Sequence, residues 1–284
     1  MPITADFPGV APGSNLTQQE WNDSIFPALY ERQWFIPRCT KLKRGYNQLN
    51  VPKMGIVSGQ VLSGSTQDGT TMNLDSMNPS STPITPNWLF AGHAYPDSLI
   101  WRSVDGIPEA AANNAENSLA AFIESQALVD VGTGTNTIGG PGVDMDVAIV
   151  RAVVATLRNN ALLEADPGST DIYALAFALQ HDDLMSVPEF TSAEQLGNGS
   201  SPLVQGMFGK GNGVTFQLST LQLNDANGRH NPFWVRSAFG YYYNSPPRGE
   251  RQRLLAQNRV FAQTDFAHGV LFNSRFVDVR SKAA

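Results

Sequence analysis

Few side chains in this sequence are spaced for catalysis. His181-Asp182-Asp183 is the one acid-rich cluster that contains a histidine. A carboxylate beside an imidazole orients a general base or binds a metal, but the same residues cap a helix start when a strand precedes them. His93, His230 and His268 lie far apart, with no i, i+4 pair and no H-E-x-x-H, so zinc hydrolysis has no support. Cys39 sits in a basic stretch that would lower a thiol pKa, yet no histidine is near it in sequence. It reads as an incidental thiol. The run from Gly132 through Gly134 to Gly139 and Gly140 suggests a phosphate loop, but the sixth position is Thr137 and a helical pattern precedes it. It reads as a linker. Lys210 lies among glycines without the Gly-Lys-Ser/Thr order that places a lysine and a hydroxyl on a nucleotide, so 206–213 reads as a turn. No G-x-S-x-G occurs. What survives for catalysis is a soluble α+β hydrolase with its site near His181 and Asp183.

The elements that would carry these residues follow from periodicity. Residues 1–13, with Pro2, Pro8 and Pro12, read as an extended arm and lack the basic and apolar regions of a signal peptide. Thr17 and Glu20 form a capping box for a short helix bearing Trp21, Ile25, Phe26 and Leu29. Two strand-like runs, around Val51 and at Trp88–Phe90 with Leu99–Trp101, flank a long polar middle and suggest an extended hairpin. Residues 108–130 place Leu119, Phe122, Ile123 and Ala127 at helical spacing, and a second helix carries Val147, Val150, Val154, Leu157 and Ala161. Asp144 and Asp146 stand at its positive end. Residues 172–179 are uniformly apolar and predict a buried central strand, after which Asp182 or Asp183 caps a short helix to Val187. Residues 214–223 alternate, with Val214, Phe216 and Leu218 inward, and 233–239, 241–243, 260–261 and 266–279 are β-prone. The composite is α+β. No period of 20–50 residues repeats.

Composition narrows the class further. The 284 residues are 42% hydrophobic and only 15% charged, so the chain is neither disordered nor short of a core. One cysteine excludes an intrachain disulfide framework and a Cys-based zinc cluster. The longest apolar run is far short of the roughly 20 residues needed to span a bilayer. The net charge of −6 conceals a segregation: residues 54–228 hold 18 acidic and 4 basic side chains, residues 31–53 hold 6 basic and 1 acidic, and residues 229–284 hold 9 basic and 3 acidic. Such blocks place different partners on different faces. A sequence pI of 5.2 argues against a dedicated DNA-binding domain, although a basic face could touch a polyanion in a salt-dependent way.

The order of these elements resembles the major capsid proteins of tailed bacteriophages over essentially the whole chain. The matching pieces are Tyr46-Asn-Gln-Leu-Asn-Val-Pro-Lys-Met-Gly55 entering the hairpin, a spine helix over 115–131, and the pair 143–164 and 172–187. The passage from Pro202 to Phe216 is also similar. The resemblance implies an N-terminal arm at 1–45, an E-loop with flanking strands at 46–104, and a spine helix and P-domain at 105–138. It further implies an A-domain at 139–248 and a closing β segment at 249–284, shared by the P- and A-domains. It implies no catalysis, cofactor or metal. The expected partners are copies of the chain itself as hexamers and pentamers, a portal protein, scaffolding and decoration proteins, and packaged DNA touched non-specifically, with no membrane. The expected location is the virion, after assembly in the host cytoplasm. Some relatives cross-link through a lysine on the hairpin; none stands between Lys53 and Arg102, which implies non-covalent locking. An encapsulin-type nanocompartment shell resembles the same fold and is the near alternative. Arg38, Lys41, Lys43, Arg44, Lys53, Trp88 and Arg102 are the expected subunit contacts.

Overall fold

Two long helices, a short third one and a set of mainly antiparallel strands make up a mixed α+β fold. The structure, a computed structural model, describes residues 33–43, 49–53, 80–96, 107–164, 171–186, 210–211, 213–254 and 257–283. The expected helix near 17–29, the run at 99–101 and the middle of the expected hairpin lie outside them.

In chain order the strands and helices are β1 (Thr40–Lys41), β2 (Leu49–Lys53), β3 (Ser80–Ile84), β4 (Asn87–Pro96), α1 (Ile107–Val129), β5 (Thr137–Gly139) and α2 (Val147–Glu164). Then come β6 (Ile172–Ala176), α3 (Ala178–Met185), β7 (Lys210–Gly211), β8 (Val214–Leu218), β9 (Asn224–Asp225), β10 (Gly228–Val235), β11 (Phe239–Leu254), β12 (Gln257–Val270) and β13 (Phe276–Ser281). Among the described residues they form three sheets: β1-β11-β12-β4, β5-β13-β10-β6-β8-β7 with β9 beside β10, and the pair β2-β3.

Side-chain alternation explains why β6 reads as continuously apolar, and why the 233–235 end of β10 is apolar too. Ile172 and Ala174 of β6, and Phe233 and Val235 of β10, pack against Val147, Val150, Val154 and Leu157 of α2. Leu175 and Trp234 point to the opposite face, into a second core built from Phe35, α1 and the four-stranded sheet. The larger sheet is therefore covered on both sides along β6 and the 233–235 end of β10, where residues on both faces are apolar. α1 supplies Ala112, Ala115, Leu119, Ile123 and Ala127 to the second core, each at most 5% exposed. Burying a leucine or isoleucine of this kind stabilises the fold by about 1.5–3 kcal/mol.

Several local expectations need correction. β6 stops at Ala176 instead of running to residue 179, because α3 begins at Ala178. Its N-cap position is Phe177, with no side-chain cap bond, so Asp182 and Asp183 lie inside the helix and cap nothing. Leu218, expected inward, is 39% exposed at the end of β8. The glycine-rich linker after α1 contains β5, which pairs in parallel with β13. Gly139 ends β5 at φ +83, close against the Arg280 carbonyl, a conformation and spacing that only glycine fits. Pro246 and Pro247 hide the length of β11: the ladder absorbs them in register shifts between Tyr243 and Arg248, then continues to Leu254. The second helix starts where expected, with Asp146 Oδ1 accepting the Ile149 N–H at 2.8 Å. The expected hairpin takes a different partner: the run around Val51 (β2) pairs antiparallel with β3, from Leu49–Ile84 to Lys53–Ser80, while Trp88–Phe90 of β4 joins β12 in another sheet.

Candidate subunit-contact surfaces

Among the described residues, Lys41, with Arg38 and Lys43 beside it, stands at one edge of the four-stranded sheet and Trp88 at the other. β1 and β4 are its outermost strands, three interstrand spacings or roughly 14 Å apart. Lys41 and Lys43 are exposed at the β1 edge, beside the exposed Arg236. That corner is tied together by Thr40 Oγ1 donating to the Arg236 carbonyl at 3.0 Å and Arg236 Nη2 donating to the Pro37 carbonyl at 3.1 Å. Arg38 belongs to the same corner but is committed inside the chain. Its guanidinium lies 3.9 Å over the Trp34 ring and donates to the Trp34 carbonyl at 3.0 Å. Burial holds its pKa below the usual arginine value. Arg44 and Arg102 lie outside the described residues; Lys53 ends β2.

The β4 edge has the opposite chemistry. It is ten residues long and contains no aspartate, glutamate, lysine or arginine. Leu89 and Tyr95 face the core, while Trp88 and Phe90 on the other face are 50% and 68% exposed. Trp88 Nε1 donates to Gln263 Oε1 at 3.2 Å, and Gln263 Nε2 donates to Glu250 Oε1. Arg248 pairs with Glu250 at 3.3 Å and stands 5.7 Å over the Trp88 ring. The two aromatics border a shallow hollow of ≈ 490 Å³ floored by Gly92 and Phe261. Trp88 was expected on a strand and at a subunit contact; the structure places it on β4 with half of its surface exposed. Phe90 shares its alternation and its exposure.

The chemistry-bearing residues singled out in sequence do not converge. His181 is 9% exposed on α3, and burial lowers its pKa. Asp183 is engaged by Lys282 Nζ at 3.0 Å, which also reaches Asp144 at 2.6 Å. Cys39 is buried and donates to the Phe35 carbonyl at 3.3 Å, with its thiol pKa raised by burial, the reverse of an activated nucleophile. No group of three or more His, Cys, Asp or Glu side chains among the described residues could hold a metal ion. No helix among them is long and apolar enough to cross a membrane.

A polar knot unforeseen in sequence ties β9, β10 and β13 together. His230, 2% exposed, holds Asp278 Oδ2 at 2.8 Å through Nδ1 and faces Asp225 Oδ1 at 3.1 Å through Nε2. Arg280 Nε also donates to Asp278 Oδ2, at 3.1 Å. The hydrogen bond to Asp278 is the largest cause raising the His230 pKa. Next to it the fully buried Asn231 donates to Ser281 Oγ at 2.8 Å and to the Val279 carbonyl at 3.2 Å, and accepts the Phe177 N–H at 3.3 Å. With both ring nitrogens turned to carboxylates, His230 has a structural rather than a basic catalytic arrangement.

No family model matches the sequence, and no curated protein does. Solved structures do match. The cyanophage Pam1 capsid aligns at 12% identity and TM-score 0.67, covering 89% of this chain and 93% of that one. The capsid of cyanophage P-SCSP1u aligns at 14% identity and TM-score 0.65, covering 87% of each. A virus-like particle from Pyrococcus furiosus aligns at 7% identity and TM-score 0.60, covering 92% of this chain and 98% of that one. With its spine-like α1, its two sheets and its β2–β3 ladder, the chain has the fold of the tailed-phage major capsid proteins.

Proposed function

We propose that the chain is a major capsid protein that associates through capsomers into an icosahedral phage head around double-stranded DNA. Its work is mechanical and needs no cofactor. The observation that carries this reading is the likeness, over nearly the full length of both partners, to proteins of phage capsids. The sheet edges supply a physical reason for self-association. A free edge is normally shortened or charged to prevent pairing, as the two-residue β1 beside Lys41 and Lys43 is. β4 has neither protection and adds two exposed aromatics, so it suits burial against another copy. Closed symmetric shells let one short chain cover such surfaces by repetition.

Within this reading, residues 1–45 act as the arm and 46–104 as the E-loop laid over a neighbour, with β2–β3 at its root. Residues 105–138 hold the spine helix and P-domain, 139–248 form the A-domain, and 249–284 close both. Lys41, Lys43, Arg44, Lys53, Trp88 and Arg102 take part in subunit contacts, and Arg38 braces the basic corner from inside. Locking is non-covalent. The shell includes a portal, is assembled in the host cytoplasm with scaffolding or decoration proteins, and touches DNA through surplus basic charge.

The likeness to the Pyrococcus particle favours a second reading, a nanocompartment shell that holds protein instead of DNA. Negative-stain microscopy and size exclusion of the purified chain test the shared claim. Closed shells support it, and a monodisperse monomer under every assembly condition overturns it. Nucleic acid inside the native shells selects the phage head; a protein cargo selects the nanocompartment.

A further inference from the structure

Charge of opposite sign collects at the two ends of β10, an inner strand of the larger sheet. Its last residue, Val235, leads into the exposed Arg236, which stands in the basic corner with Lys41 and Lys43. Asp171 is exposed at the same end, because Ile172 pairs with Val235. With Arg38 included, the corner stays net positive even when the buried Glu124 is counted against it. At the other end Gly228 pairs with Asp225, and Arg229 with Ser281. Asp144, Asp146, Asp182 and Asp225 are exposed there. The nearby cations are already engaged: Lys282 holds Asp144 and Asp183, Arg280 holds Asp278, and the Arg229 guanidinium lies 3.6 Å over the Phe177 ring. This end stays net negative even with His230 charged.

We propose that the basic corner of one copy docks on the acidic end of the next, a head-to-tail contact between copies of this chain. It rests on the shell function proposed above, and it names the surface that Lys41 and Lys43 meet. A twofold contact at either patch would set that patch against itself, and like charges oppose it. Pairing the unlike patches is heterologous, and a heterologous contact closes into a ring when the rotation between neighbours allows.

Placement favours a contact between copies over one within the chain. Eight residues of extended strand hold the patches about 25 Å apart. That is well beyond the Debye length of about 8 Å at physiological salt, so neither patch neutralises the other inside one copy. A single exposed ion pair contributes little, and repetition around a ring is what makes such pairs count. Opposite patches also steer approaching copies into head-to-tail register. The β1 edge suits this role, since a two-residue strand offers little backbone pairing to a neighbour. Trp88 and Phe90 lie on β4, at the far edge of the same sheet, so apolar burial there and charge pairing here can be perturbed separately. Asp146 also caps α2 through the Ile149 N–H, and its replacement must keep an acceptor.

Charge reversal in the full chain tests it, read as the critical concentration for assembly by light scattering. Lys41→Glu with Lys43→Glu, and separately Asp146→Asn with Asp182→Lys, should each raise it at least about tenfold. The circular dichroism of the single chain should stay the same. All four substitutions in one chain reverse both patches and should bring the value back to within about threefold of wild type. An equimolar mixture of the two double variants should form rings that neither forms alone, because alternate copies then meet reversed against reversed and native against native. Reversals without effect, or defects that neither the fourfold variant nor the mixture relieves, overturn the contact, and wild-type shells in the same assay leave the shell function standing. A wild type that never associates overturns both. Should a reversal variant fail to fold, Lys41→Gln with Lys43→Gln decides: a rise of at least about threefold supports the contact, and an unchanged value overturns it.

Discussion

Replacing Asp278 by alanine perturbs the polar knot at its centre. Asp278 is fully buried and serves two cations at once, His230 at 2.8 Å and Arg280 at 3.1 Å. Its removal leaves the 2% exposed His230 facing a void on its Nδ1 side. Breaking a buried charged pair by deleting one partner costs about 3–5 kcal/mol. At roughly 2–4 °C per kcal/mol for chains of a few hundred residues, thermal unfolding should shift down by on the order of 10 °C. The shift is read by circular dichroism on the unassembled chain at pH 6, where His230 is charged. Because the raised His230 pKa contributes stability that is full below 6.5 and lost as pH climbs through its folded value, the gap between wild type and Asp278→Ala should narrow towards pH 9. The double variant His230→Leu with Asp278→Leu removes both charges, and should recover part of the loss through a coupling of about 0.5–3 kcal/mol. A Tm shift below 2 °C for Asp278→Ala, or strict additivity in the double variant, refutes the account of the knot.

Three further outcomes follow from the same structure. Gly139→Ala meets both a positive φ and the Arg280 carbonyl, whereas Gly142→Ala meets a positive φ in open space. In urea unfolding the first should cost at least about 2 kcal/mol and the second about 1 kcal/mol. Asn231→Ala strands the Phe177 N–H and the Ser281 hydroxyl, and should lower stability by about 2–4 kcal/mol in the same assay. Trp88→Ser with Phe90→Ser should leave the circular dichroism spectrum of the single chain unchanged and lower its Tm only modestly, through loss of the Trp88–Gln263 bond, while preventing shell formation by light scattering.

What the sequence reveals depends on how local the signal is. Both helices were legible because their apolar stripes repeat within a few residues, and β6 because both its faces are covered. The end of β6 was not, since Phe177, Ala178 and Leu179 are apolar in either conformation. Pro246 and Pro247 concealed the continuity of β11 because a bulge can hold prolines that an unbroken ladder cannot. The pairing of His230 with Asp278 spans 48 residues and rests on strand register, which no short motif carries. Glu124, which accepts the backbone N–H groups of Trp34 and Phe35, did leave a trace: it falls on the same side of α1 as Ala120, Ile123 and Ala127, where a carboxylate is expected only if something inside meets it. Trp88 was legible as part of a strand, but its separation from the basic corner, across the width of a sheet, was a matter of topology.

The central claim is that copies of this chain close into a shell, and cryo-electron microscopy of the expressed chain addresses it directly. The account predicts closed icosahedral particles in which Trp88 and Phe90 are covered by a neighbouring copy and Lys41 and Lys43 lie at a contact or on the inner surface. Particles in which the β4 edge faces solvent, or a chain that stays a 30.8 kDa monomer under every assembly condition, would contradict it.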